Sequence, residues 1–256
     1  MDKKVQGTNE WLDCDYPMLI VGPCAVESYE MMEKIAEFLV SRNINVIRAG
    51  AYKPRTSPSD FQGLGDEGIR ILDAIRKKYN VKIVSEIVDV RHIEMMCGKI
   101  DVLQVGSRNM YNYELLKELG KLDYHILLKR GLSATIAEFV CAAEYIVKGG
   151  NKKLALCERG VRSYDRSTRN LLDLSCVAII KKETEFNIIV DISHSLGRKD
   201  IFVEMSKAAL AAGADGIMVE AHHNPKAARS DSKQQMSLEE LDRYLEAIVG
   251  RGNYRS

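Results

Sequence analysis

Residues 48–58 read Arg-Ala-Gly-Ala-Tyr-Lys-Pro-Arg-Thr-Ser-Pro, which gathers three cations and a hydroxyl into one stretch stiffened by two prolines. Two prolines and a glycine exclude a helix and restrict the loop. A stiff loop that holds Arg48, Lys53 and Arg55 loses little entropy when it closes around an anion. A solvated basic loop is the bland alternative. The cations alternate with residues of restricted backbone rather than with Ser, Glu and Gln, which favours an anion site.

The elements that must position this loop alternate along the chain. Short apolar runs at 18–21, 44–47, 82–85, 102–105, 125–128, 153–156, 187–190 and 216–219 read as buried parallel strands. Amphipathic patterns follow them at about 29–42, 66–78, 90–97, 113–119, 135–148, 169–181, 199–212 and 238–249. Eight strand-then-helix units without a linker predict a closed (β/α)8 barrel of the TIM type, a single α/β domain over 16–256. An open doubly wound sheet is the alternative. Residues 1–15 are polar, contain the only Trp, Trp11, and read as an arm or short hairpin.

In such a barrel chemistry sits at the carboxyl ends of the strands. Those positions carry Cys24 and Glu27, Arg48, Glu86, Arg108, Lys129 and Arg130, Glu158 and Arg159, Asp191 and His194, and Glu220, with His222, His223 and Asp231 in the last loop. Cys24, His194, Glu220 and Asp231 come from strands one, seven and eight, which are neighbours once a barrel closes. Thiolate, imidazole and two carboxylates suit a divalent transition metal such as Mn, Fe, Co or Zn. Each has a plainer reading alone: Cys24 as a small core residue, His194 as a structural histidine, Glu220 as an ion-pair partner. His222 and His223 fit supporting or loop roles. Arg48, Lys53, Arg55, Arg108, Lys129 and Arg159 form a cationic part. Their mutual repulsion calls for two highly charged anions, with arginines gripping phosphate or carboxylate.

The net charge of +1 gives no sign of a nucleic-acid or membrane surface. Six cysteines lie scattered over 256 residues without CxxC spacing or a signal peptide, so reduced thiols in a cytoplasmic protein are expected. No apolar run approaches a bilayer span.

A family resemblance rests on Gly22-Pro23-Cys24, residues 48–58, Ser85-Glu86, Gly106-Ser107-Arg108, Leu128-Lys129, Cys157-Glu158-Arg159-Gly160, Asp191-Ile192-Ser193-His194 and Met218-Val219-Glu220. In order and spacing the chain, over about residues 16–250, resembles the 3-deoxy-D-arabino-heptulosonate 7-phosphate (DAHP) synthases, and among them the short β-type of the first class. The resemblance implies a barrel enzyme condensing phosphoenolpyruvate with erythrose 4-phosphate, the entry step of aromatic amino-acid synthesis. It implies Cys24, His194, Glu220 and Asp231 as ligands of one divalent metal. By the same resemblance, Arg108, Lys129 and Arg159 meet phosphoenolpyruvate, with Arg48 and Lys53 lining that pocket. Lys53, Pro54, Arg55 and Thr56 match the erythrose 4-phosphate segment, and Glu86 stands near the attacking water. Lys53, Glu86, Lys129 and His194 are the expected catalytic groups. A homodimer or homotetramer is implied, and feedback control through an attached regulatory domain is not expected.

Two alternatives accompany this reading. The sister octulosonate 8-phosphate synthases share the barrel but usually carry Lys-Ala-Asn-Arg-Ser where this chain has Lys53-Pro54-Arg55-Thr56, and some have Asn in place of the Cys24 thiol. A non-catalytic phosphometabolite-binding barrel is the alternative of another class. Ile192, Leu196 and Ser232 depart from common family residues without removing a charged group.

Overall fold

The computed structural model describes residues 16–250. The arm expected over 1–15 lies outside the described residues. Eight strands, β1 (Met18–Gly22), β2 (Val46–Arg48), β3 (Lys82–Ile87), β4 (Val102–Val105), β5 (His125–Lys129), β6 (Leu154–Glu158), β7 (Asn187–Asp191) and β8 (Gly216–Glu220), form a closed parallel barrel in sequence order. β1 and β8 close it in register, Met18 beside Gly216 and Gly22 beside Glu220. The helices are α1 (Tyr29–Val40), α2 (Asp66–Tyr79), α3 (Ile93–Met96), α4 (Tyr113–Gly120), α5 (Ile136–Lys148), α6 (Leu174–Glu183), α7 (Ile192–Leu196), α8 (Phe202–Ala211) and α9 (Leu238–Val249).

Alternation along each strand divides the core in two. One set, including Ile20, Val46, Val84, Leu127, Ile189 and Met218, fills the barrel interior. The other, including Val21, Ile47, Ile83, Leu128, Ile188 and Val219, packs against the helices. The same period of two aims the mouth. Two residues beyond an interior position lie Arg48, Glu86, Gln104, Lys129, Arg159, Asp191 and Glu220, so all seven turn inward at the carboxyl end.

Helix starts carry the caps their sequence announces. Ser28 accepts from the Met31 amide at 3.1 Å, and Thr135–Glu138 and Ser237–Glu240 are complete capping boxes. The sequence pattern overruns elsewhere. The helix expected from 169 begins at Leu174, because the Arg169 and Asn170 amides donate to Leu196 and Ser195 carbonyls and Asp173 caps α6. The segment expected as one helix over 90–97 is a 3-10 turn at Val90–His92 followed by α3. Strand two begins at Val46 rather than 44. The region 49–65 holds neither helix nor regular strand, as its prolines require. Among the described residues no helix is long and apolar enough to cross a membrane.

Candidate active site

The four expected metal donors meet. Cys24, His194, Glu220 and Asp231 each offer one donor atom, and these atoms lie within 4.8 Å of one another. Cys24 Sγ is 3.3 Å from Asp231 Oδ2, and His194 Nε2 is 3.5 Å from Glu220 Oε1 and 3.6 Å from Asp231 Oδ2. A tetrahedral ion with bonds of about 2.0–2.3 Å would set its donors about 3.3–3.8 Å apart. The spacing and the soft–hard donor mix fit one divalent transition metal.

The supports of these donors come from the fold. His194 sits on the five-residue α7, which the sequence reading did not anticipate because one turn shows no periodicity. Asp191, the last residue of β7, caps that turn by accepting from the His194 amide at 3.0 Å. Its other oxygen accepts from His194 Nδ1 at 2.9 Å and from the Lys129 ammonium. The carboxylate therefore fixes the ring so that Nε2 faces the other donors. Gln235 Oε1 accepts from the Cys24 amide at 3.0 Å, Ser193 Oγ accepts from the Glu220 amide at 2.8 Å, and Gln234 Nε2 donates to Glu220 Oε2 at 2.5 Å.

The electrostatics ask for positive charge at the centre of this group. Burial opposes a charged His194, yet Asp191 and Glu220 push its pKa up to about 9. Burial likewise opposes the ionised Asp191 and Glu220. His194 and Lys129 nevertheless hold Asp191 well below the usual carboxylate range, and His194 and Arg48 lower Glu220.

Beside the donors opens a cavity of about 300 Å³. Arg48, Lys53, Pro54, Arg55, Thr56, Glu86, Arg108, Lys129 and Arg159 all line it, together with His194 and Asp231. Cys24 and Glu220 are fully buried behind its wall. Arg48 is more committed than the sequence suggested: its guanidinium donates to Glu220 and, at 3.1 Å, to the Pro23 carbonyl. Burial opposes its charge, and Glu220, Cys24 and Asp191 together more than compensate, so it stays a cation. Lys53 has the same balance: burial works against the ammonium, while Cys24, Glu86 and Glu220 raise its pKa. Arg55 pairs with Asp60 at 3.4 Å on the rim.

Glu86 rests against Gly106, where a Cβ would stand 2.0 Å from its Oε1. Only a glycine leaves that carboxylate room. Gln104, in register between Glu86 on β3 and Leu127 on β5, adds a buried amide to the same wall. Gln104, Arg169 and Asn170 line the cavity but were not picked out from the sequence. The interior parity of β4 marks Gln104; no sequence signal marks the other two.

Arg130, Glu158 and Glu27, all strand-exit charges, do not join the mouth. Arg130 and Glu158 each follow an inward-facing residue, so they point toward the helices. There Arg130 Nη1 binds Glu158 at 2.9 Å and Asp173 at 2.8 Å. His222 and His223 stack at 4.7 Å beside Glu27, outside the four-donor group. The described cysteines are free thiols.

Known proteins resemble this chain along most of its length. A phospho-2-dehydro-3-deoxyheptonate aldolase from Thermotoga maritima is 46% identical over 224 residues, which are 88% of this chain and 66% of that protein. The chain thus spans just under two thirds of that relative's length. A 2-dehydro-3-deoxyphosphooctonate aldolase from Geobacter sulfurreducens is 26% identical over 91% of this chain and 92% of its own. The crystal structure of the Thermotoga maritima DAHP synthase superposes with a TM-score of 0.87 at 43% identity, covering 91% of this chain and 68% of that one. A truncated form of the 3-deoxy-D-arabino-heptulosonate 7-phosphate synthase from the same organism gives 0.84 at 40%, covering 91% and 85%. The sequence model of the DAHP synthetase I family matches residues 11–254, nearly end to end, and the chain belongs to that family.

Proposed function

We propose that this chain condenses phosphoenolpyruvate with erythrose 4-phosphate and water to give DAHP and phosphate, with a divalent metal held by Cys24, His194, Glu220 and Asp231. The observation that carries the reading is the junction of the four-donor group and the cation-lined cavity at one barrel mouth. The Thermotoga maritima relative bears the name of this activity. When bound, the metal supplies Lewis-acid polarisation of the sugar aldehyde.

The protein's own groups do the rest. Arg108, Lys129 and Arg159 hold the phosphate and carboxylate of phosphoenolpyruvate, while Arg55 and Thr56 hold the sugar phosphate. Two anions that repel each other in water are thereby brought into bonding range, which is the larger catalytic contribution. The C3 carbon of phosphoenolpyruvate bonds to the aldehyde carbon, and Lys53 donates the proton that the new hydroxyl takes up. Lys53 is suited to this because its acidic neighbours keep it protonated despite burial. Glu86 orients the water that adds to C2, and the resulting tetrahedral centre expels phosphate. Arabinose 5-phosphate is the alternative sugar. Lys53-Pro54-Arg55-Thr56 and the higher identity to the heptonate enzyme favour the four-carbon sugar.

The thiol donor suits a reducing compartment, so we place the protein in the cytoplasm; the family resemblance alone supports a homodimer or homotetramer. Phosphate release should require both substrates and stop with a chelator. Release with arabinose 5-phosphate in place of erythrose 4-phosphate would transfer the chain to the sister activity, and binding without release would make it a sensor.

A further inference from the structure

We propose that Arg169 is a positioning residue that turns one oxygen of Asp231, and through Gln234 one oxygen of Glu220, toward the bound cation; this rests on reading the four donors as a metal site. Asp231 divides its carboxylate. Oδ2 faces Cys24 Sγ and His194 Nε2 at 3.3 and 3.6 Å, whereas Oδ1 is 3.4 Å from Arg169 Nη1. Glu220 is divided less cleanly, because Oε1 also accepts from Arg48 Nη1. Oε1 faces His194 Nε2 at 3.5 Å, and Oε2 accepts from Gln234 Nε2 at 2.5 Å. Arg169 Nη1 donates to Gln234 Oε1 at 2.7 Å, so one guanidinium nitrogen touches Asp231 directly and is linked to Glu220 through Gln234.

The loop from β8 to α9 needs such a tether. Asp231 has φ of 46°, a left-handed conformation that costs a non-glycine residue about 1 kcal/mol or more. No helix or strand holds it there. Arg169 is itself held by the segment that carries His194. Its amide donates to the Leu196 carbonyl at 2.8 Å, and the Asn170 amide donates to Ser195 at 2.8 Å. Asn170 Nδ2 donates to the His194 carbonyl at 2.9 Å. At Gly197, which has φ of 68°, a Cβ would lie 2.6 Å from Arg169 Cβ, so the aliphatic stem of the arginine side chain lies against the end of α7. Arg169 thus gauges the distance from the histidine donor to the two carboxylate donors.

Charge alone predicts the opposite effect. A guanidinium beside a cation site repels the incoming ion, so a bare charge at Arg169 would weaken binding and its removal would tighten it. A tether predicts that removal loosens binding. The sign separates the two roles.

The test uses the full chain, stripped with a chelator and titrated with Co2+ while the thiolate-to-cobalt absorption and the ligand-field bands are followed. Arg169→Ala is expected to bind Co2+ about 10–100-fold more weakly, the usual cost of losing a group that orients a ligand, and to alter the ligand-field bands. Arg169→Lys should fall between, because its side chain is one bond shorter and carries the ammonium short of the point where Nη1 reaches both Asp231 Oδ1 and Gln234 Oε1. Unchanged or tighter affinity with a wild-type spectrum overturns the proposal. So does a raised KM for the sugar phosphate at wild-type metal affinity, which would make Arg169 a substrate contact. If the alanine variant does not fold, the lysine variant decides: wild-type affinity in it overturns the proposal. Absence of the thiolate band in the wild-type protein, or its persistence in Cys24→Ser, would sink the metal-site reading itself, independently of Arg169.

Discussion

Lys53 is buried among Cys24, Glu86 and Glu220, and its ammonium survives because those acids outweigh the loss of water. In the proposed mechanism, removing it would deprive the new hydroxyl of its proton. Lys53→Ala is expected to slow phosphate release by at least about 10²-fold, the low end for a general acid; turnover near the wild-type rate would strip Lys53 of that role. Cys24→Ser should lower metal content and turnover together, with element analysis and the phosphate assay read on the same samples. Cys157 offers a residue-level check of burial. Its thiol lies inside the barrel, and burial pushes its pKa from an ordinary 9.0 up to about 12. The sign follows directly: the folded state holds the proton more tightly, so its contribution is complete below pH 9. It declines as pH rises toward 12, by about 1.4 kcal/mol per pH unit at most. Cys157→Ala should remove that alkaline decline, as measured by urea denaturation between pH 8 and 11. Residue types at strand ends made the donors and cations legible in the sequence. The role of Asp191 was not, because a carboxylate that orients a histidine looks like any other acid until its neighbours are known.

At the scale of elements, the buried Arg130–Glu158–Asp173 group fastens the exits of β5 and β6 to the start of α6. Lys129 and Arg159, one residue along from its members, face the cavity. Arg130→Met leaves Glu158 buried without its cation, and a loss of about 3–5 kcal/mol is expected in urea denaturation. A loss below about 1 kcal/mol would show that water replaces the partner. The capping box of α5 is exposed and independent of the mouth; Thr135→Ala should cost about 1 kcal/mol and leave turnover intact. Strands and most helices could be read from the sequence, since apolar runs and a 3.6-residue period announce them. What could not be read depends on contacts distant in sequence. The segment before Leu174 carries a helical pattern, but its amides are claimed by carbonyls after β7. The turn bearing His194 is too short to leave a periodic trace.

For the whole molecule, the barrel order followed from counting eight units, and parity along each strand then decided which charges enter the mouth. That second step needs the register, which places Arg130 and Glu158 outside and Gln104 inside. A ligand that binds only the folded chain raises its stability by mass action. Chelation is therefore expected to lower Tm as well as activity, and re-addition of Mn2+ or Co2+ to restore both, by calorimetry at matched pH. A Tm indifferent to chelator would contradict a cation spanning β1, α7, β8 and the last loop.

The register of β1 against β8 brings the opening and closing stretches of the polypeptide side by side, with Cys24 and Asp231 separated by 207 positions along the chain. An ion shared between them, as proposed, would act as a clasp on the seam of the cylinder. During synthesis the thiol is made well before the other three donors, and waits for the segment that carries Asp231. On the proposed ligand set, a shortened product that stops before the eighth strand would lack Glu220 and Asp231, so metal capture would double as a certificate that the barrel was completed.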